Sequence, residues 1–311
     1  MNEPMLTQQK QTGWLAVYLY YKGPLDEILR QLISPFIDEV YGQYVSQFFF
    51  IRYFENGPHI RLRLKGDKLT LEKITKPKLI QVTNNYFSTV SNVNKGFVQI
   101  VPYEPELDRY GGRMGTAIAE KIFQVSSYVI LQILSRKEWN FQKAMGASLQ
   151  LNIIQLFFFF EDKTEIKRFV GFEHQNWLQH SIGIKGDKEF ESNHLITEQE
   201  LAYRKQSDHI KEVLLNIWTR LEKGVAFGDK NMDEWKKAIE EIYAEFKFYQ
   251  TEIISQSTMI SGESFDSSHF NLKKWLIIDS YLHMTNNRLG LLYKDECYTY
   301  YILKNIFSEL L

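Results

Sequence analysis

Three short polar clusters set in apolar surroundings hold the residues of this chain with chemistry to offer. They are Gly57-Pro58-His59-Ile60-Arg61-Leu62-Arg63-Leu64, Tyr103-Glu104-Pro105-Glu106-Leu107-Asp108-Arg109-Tyr110-Gly111-Gly112, and His283-Met284-Thr285-Asn286-Asn287-Arg288-Leu289. Arginines, a carboxylate and a histidine beside strand and helix cores are costly to desolvate unless they pair with one another or with a ligand. Together they describe an anion-binding site with a group able to move a proton near neutral pH. The expectation is that Arg61, Arg63, Glu106, Arg109, His283 and Arg288 converge in one cleft.

The elements that must position them follow from periodicity. Residues 14–21 read as a buried strand ending at Lys22-Gly23-Pro24, followed by a helix with Pro35 as a kink. Residues 47–54 and 59–65 read as a β-hairpin closed by Glu55-Asn56-Gly57-Pro58. Alternation then puts His59, Arg61 and Arg63 on one face and Ile60, Leu62 and Leu64 on the other. Two neighbouring guanidinium groups suit a carboxylate or phosphate, although a solvated face with salt bridges reads the same way. Residues 68–93 are expected to be helical with a break at Pro77, and 97–103 to form a further strand.

From residue 116 onward helices dominate, with spans at 141–160, 198–223, 232–250 and 272–288, and loops at 184–193, 224–231 and 255–268. The fold class expected is α+β, a mostly antiparallel N-terminal sheet with packed helices followed by a predominantly helical C-terminal half. Residues 1–13 read as a flexible tail and 14–311 as a single domain.

Composition narrows the function classes. Lys+Arg 37 against Asp+Glu 38 leaves a net charge of -1, which argues against direct nucleic-acid or tRNA binding. One cysteine, Cys297, excludes an intramolecular disulfide framework and fits a reducing cytoplasm. It reads as a small packing residue unless a base lies beside it. The apolar stretch 149–160 is too short to span a bilayer, so no membrane insertion is expected. The histidines show no metal-ligand spacing, and neither a bound metal nor a cofactor is expected. Gly111-Gly112-Arg113-Met114-Gly115 opens a helix but is neither a Walker loop nor a dinucleotide fingerprint, and reads as a tight turn before it reads as a phosphate cradle. His283 could equally be a satisfied structural residue, and Arg288 a cap on its helix.

Taken together, Trp14, the 57–63 cluster, the 103–112 cluster with Ala119-Glu120 and Phe123, and His283-Met284 through Asn287-Arg288-Leu289 resemble the carboxyl-terminal domain of lantibiotic dehydratases, a domain also found alone as the thiopeptide-type bacteriocin biosynthesis protein. The resemblance runs from Trp14 to the end. It implies a lyase acting on a ribosomally made precursor peptide, with glutamate eliminated from glutamylated Ser or Thr to leave dehydroalanine or dehydrobutyrine. A separate glutamyl-tRNA-dependent enzyme would glutamylate the peptide, this chain being the stand-alone elimination subunit, and a homodimer is compatible. The resemblance carries catalysis to Arg63, Arg109 and His283, and substrate binding to Arg61, Glu106 and Arg288. One departure is Val125-Ser126-Ser127, where the family commonly has Asp before Ser.

The chemistry matches. Removing the α-proton builds enolate charge, which arginines aimed at the carbonyl stabilise, while the glutamate leaves as a carboxylate that needs a cationic cradle. Two rivals remain open: a thiopeptide pyridine-forming cycloaddition enzyme, and a noncatalytic peptide-binding scaffold. The Arg-Glu-Arg-His set favours elimination.

Overall fold

A computed structural model describes residues 11–90, 96–136, 138–182, 188–259 and 267–310. The chain divides between Pro105 and Glu106 into two compact units. The class is α+β, as expected: a small antiparallel sheet first, then helices.

In the first unit, β1 (Thr12–Tyr20) begins two residues before the expected strand. Most of the proposed tail, residues 1–10, lies outside the described residues. The chain then forms α1 (Leu25–Ile28), a π-helical turn at Leu29–Ile33 and α2 (Ser34–Val40). Pro35 sits in the first turn of α2, where its missing N–H costs nothing, and the irregularity falls just before it. The hairpin strands are β2 (Gln47–Tyr53) and β3 (His59–Asp67). Asn56 and Gly57 both take positive φ in their connection, 61° and 104°. There follow α3 (Lys68–Thr70), a second π-helical turn at Leu71–Thr75, α4 (Lys76–Thr89) and β4 (Phe97–Val101). Pro77 again lies in a first turn.

Strand order is β2-β3-β1-β4, every neighbour antiparallel. The pleat sorts the side chains. Leu15, Val17, Leu19, Phe48, Phe50, Ile60, Leu62 and Leu64 share one face and are all buried, with the turn at Leu71–Thr75 packed against β1 and β3. The register leaves Trp14, Tyr18, Tyr20, Phe49, Tyr53, His59, Arg61, Arg63 and Lys65 on the opposite face.

The second unit is helical: α5 (Leu107–Tyr110), α6 (Gly112–Leu134), α7 (Phe141–Phe159), α8 (Lys163–Ser181), α9 (Lys188–Arg204), α10 (Ser207–Glu222), α11 (Lys230–Gln256), α12 (Ser267–Leu289) and α13 (Tyr293–Glu309). Two expectations are corrected. The helix expected over 198–223 is two, α9 and α10, broken at Lys205 and Gln206, and the described part of the loop expected at 184–193 is the first turns of α9. Residues 184–187 lie outside the described residues.

The helix α6 is long and apolar enough to cross a membrane by length and composition, but 67% of its apolar window is buried within the protein. It packs against α5, α11 and α12. Residues 157–160 are expected to lie in the core; Phe159 and Phe160 do, at 1% and 3% exposure, whereas Phe157 and Phe158 are half-buried.

Candidate functional site

The polar face of the sheet is a bed of aromatic rings under cations. The Arg61 guanidinium lies 3.3 Å from the Tyr53 ring centroid and 4.7 Å from that of Tyr18. Arg63, 7% exposed, lies 5.2 Å from Tyr18 and 5.8 Å from Tyr103. Cross-strand pairing of Tyr18 with Arg61 dictates the first stack. His59 Nδ1 donates to the Gly57 carbonyl at 2.8 Å and Nε2 accepts from Arg61 Nε at 3.2 Å, so the ring is neutral. Burial, then the Arg61 and Arg63 charges, push its pKa down against the Gly57 bond. Burial also lowers the pKa of Arg63, partly countered by the Tyr18 hydroxyl. Its Nη1 reaches the Leu62 carbonyl at 3.3 Å. Alternation in the sequence revealed the cations; it did not reveal the rings that sandwich them, because those come from β1, β2 and the segment after β4.

In the second unit, Arg109 Nη1 pairs with Glu106 Oε2 at 3.3 Å, both partly exposed. The glycines after them serve packing. A Cβ on Gly111 would sit 2.1 Å from the Ile253 carbonyl oxygen, and one on Gly115 1.6 Å from that of Tyr110. Gly111 also has φ 78°, so the elbow between α5 and α6 requires glycine.

His283 is the chemical centre of α12. Its Nδ1 lies 2.9 and 3.0 Å from the two oxygens of Glu296 on α13. The imidazole side chain is 25% exposed and the carboxylate 1%. Burial alone would lower the His283 pKa, but the Glu296 charge and hydrogen bond, helped by Asp279, raise it overall. Arg109 is near enough for its charge to oppose that rise. Burial pushes the Glu296 carboxyl up to about 7 despite His283. Each partner thus favours the charged form of the other, against the burial that both suffer.

Around it runs a polar network. Asn286 Nδ2 donates to Glu296 at 3.4 Å, and Asn286 Oδ1 accepts from Ser148 Oγ at 2.7 Å and Asn152 Nδ2 at 3.0 Å. The Trp177 ring lies 5.2 Å from the imidazole, and its Nε1 donates to Asp279 at 3.0 Å, where the Tyr300 hydroxyl also donates at 2.7 Å. Arg288 is fully buried, with Nε donating to Ser127 Oγ at 2.9 Å and Nη1 to the Met284 carbonyl one turn back. Burial lowers its pKa to about 9. The departure at 125–127 thus lies next to Ser127, which holds Arg288.

Of the six residues expected together, Arg61 and Arg63 share the sheet face of the first unit; Glu106 pairs with Arg109, and His283 and Arg288 share α12, in the second. Sequence reasoning missed Glu296. Its signal was present: Glu296, Tyr300, Leu303 and Phe307 recur at helical spacing and all are buried, so a carboxylate sits on a core face. Cys297 is buried with Gln199 Nε2 3.1 Å from Sγ, and burial raises its pKa, the reverse of an activated thiol. Among the described residues, no three His, Cys, Asp or Glu side chains are grouped to hold a metal ion.

Residues 14–307 match the family model for the lantibiotic biosynthesis dehydratase C-terminal domain. The chain belongs to that family. It is 26% identical over 306 residues to the nisin biosynthesis protein NisB of Lactococcus lactis subsp. lactis, covering 94% of this chain and 25% of NisB. It is 35% identical over 121 residues to the subtilin biosynthesis protein SpaB of Bacillus subtilis, covering 38% of this chain and 11% of SpaB. The chain thus spans a quarter or less of these relatives' length. In fold it is similar to TbtD, a pyridine synthase from thiomuracin biosynthesis, at TM-score 0.70 and 12% identity over 96% of this chain and 98% of that one. It is also similar to MibB, a tRNA-dependent lantibiotic dehydratase from Microbispora sp. 107891, at TM-score 0.59 and 16% identity over 100% of this chain and 29% of MibB.

Proposed function

We propose that this chain eliminates glutamate from glutamylated Ser or Thr residues of a ribosomally made precursor peptide, leaving dehydroalanine or dehydrobutyrine, after a separate glutamyl-tRNA-dependent enzyme has activated the peptide. The observation that carries the reading is His283 held against a buried carboxylate in a chain of this family. An imidazole whose proton affinity is raised by a buried carboxylate is suited to take an α-proton, a step worth about 10²–10⁴-fold when well positioned.

Arg63 and Arg109 are each assigned a catalytic part as planar paired donors, suited to an enolate oxygen or a departing carboxylate. Arg61, stacked between Tyr53 and Tyr18, presents a fixed charge to the glutamyl group, and Glu106 orients Arg109 or meets the glutamyl ammonium. Arg288, enclosed by α6 and α12, supports the helix that carries His283 and so contributes to substrate binding through it. A second reading, cycloaddition of two dehydroalanines, has less use for a cationic cradle.

The test uses glutamylated precursor and product masses. Wild-type protein is expected to release glutamate and leave dehydrated peptide. Arg109→Lys, which keeps charge without the planar fork, and His283→Ala are expected to retain native circular dichroism while glutamylated peptide persists. Near-normal dehydration by both folded variants would put the cycloaddition or scaffold reading first.

A further inference from the structure

The polar groups behind His283 are placed to do more than fill the space between helices. Glu296 Oε1 and Oε2 both face Nδ1, at 2.9 and 3.0 Å, so the ring is held against the carboxylate from one side. The carboxylate is itself fixed, since Asn286 donates to it and is held in turn by Ser148 and Asn152 of α7. Trp177, tied to Asp279, flanks the imidazole. An ionised carboxylate accepts only, so Nδ1 carries the ring hydrogen and Nε2 keeps its lone pair. With Nδ1 occupied, Nε2 is the ring nitrogen left for substrate.

We infer that Glu296 is a positioning residue that fixes the tautomer of His283 and stabilises the imidazolium it forms, making Nε2 the atom that removes the substrate α-proton. This deepens the elimination reading and rests on it. The Nε2 lone pair takes the proton from Cα, and the electron pair of that bond becomes the second Cα–Cβ bond. The Cβ–O bond breaks, and glutamate leaves as a carboxylate with its electrons. The imidazolium stays against Glu296 until it gives its proton to water. Among the described residues, the charges acting on the ring are Glu296 of α13 and Asp279 of α12, which favour its protonation, and Arg109 of α5, which opposes it; Glu173 of α8 and Tyr300 of α13 lie behind Asp279.

Glu296→Gln keeps the shape and removes the charge. On glutamylated precursor it is expected to lower kcat by about 10-fold or more and to move the acidic limb of the kcat profile to lower pH, because the ring loses the anion that raises its proton affinity. Glu296→Asp keeps the charge and should keep the limb near its wild-type position. In free wild-type protein, ¹⁵N shifts of His283 above that limb should report hydrogen on Nδ1. A hydrogen on Nε2, or a Glu296→Gln profile that superimposes on the wild type, overturns the assignment. If Glu296→Gln does not fold, the Glu296→Asp profile and the wild-type ring spectrum decide, a shifted limb or an Nε2 hydrogen counting against it. Full turnover by His283→Ala would instead overturn the part of His283 in elimination, while the Nδ1 tautomer stood.

Discussion

Two histidines with similar sequence settings behave differently because of what faces their second nitrogen. His59 spends Nδ1 on the Gly57 carbonyl and Nε2 on Arg61, so it has no nitrogen free to gain a proton. His283 meets a carboxylate at Nδ1 alone. A third buried group, Glu173, makes a measurable prediction. Burial, then the Asp279 charge, push its carboxyl up to about 9, and it is 1% exposed. A folded pKa above the unfolded value near 4.5 means that its stabilising contribution is full below about pH 4.5 and is lost as pH rises toward about 9. The melting temperature should therefore fall between pH 5 and 9 by roughly 2 °C or more for each kcal/mol lost. Glu173→Gln should flatten that slope and raise the melting temperature on the alkaline side. Identical slopes for variant and wild type would count against an uncharged Glu173.

At the scale of elements, the elbow between α5 and α6 depends on backbone touching backbone. Gly111→Ala puts a methyl group 2.1 Å from the Ile253 carbonyl oxygen at a φ of 78°. The strain and the displaced α11 contact should cost about 2–4 kcal/mol, seen as a lower denaturant midpoint with an unchanged slope. A midpoint equal to wild type would mean the elbow can open without loss. The same scale shows what the sequence could and could not say. The alternation of 59–64 placed the cations correctly because one face of β3 is wholly apolar. The glycines at 111–115 were readable as a tight turn, but their true neighbour, Ile253, lies far along the chain. The break between α9 and α10 was missed because Lys205 and Gln206 carry no glycine or proline. The helix α8, which brings Trp177 to the dyad and Glu173 to Asp279, went unassigned, although Asp162 marks its start by accepting from the Thr164 amide at 2.8 Å. Glu296 was passed over because it lies on an unassigned helix, 13 residues from His283 across the turn at Gly290.

At the scale of the whole molecule, the proposed division of labour predicts dependence on prior activation. Given unmodified precursor without glutamyl-tRNA and the activating enzyme, this chain should leave the peptide mass unchanged, because hydroxide is a poor leaving group. Dehydrated product under those conditions would sink the two-enzyme reading. The chain also has a single thiol, Cys297, fully buried and held in its protonated form by burial. Dehydroalanine is an electrophile toward conjugate addition, and thiolates are its fastest partners among side chains. A catalyst that generated such an acceptor, turnover after turnover, would risk alkylating itself. Under the proposed elimination, the one thiol that could be captured is sealed among α8, α9 and α13 beside Gln199, out of reach of the nascent olefin.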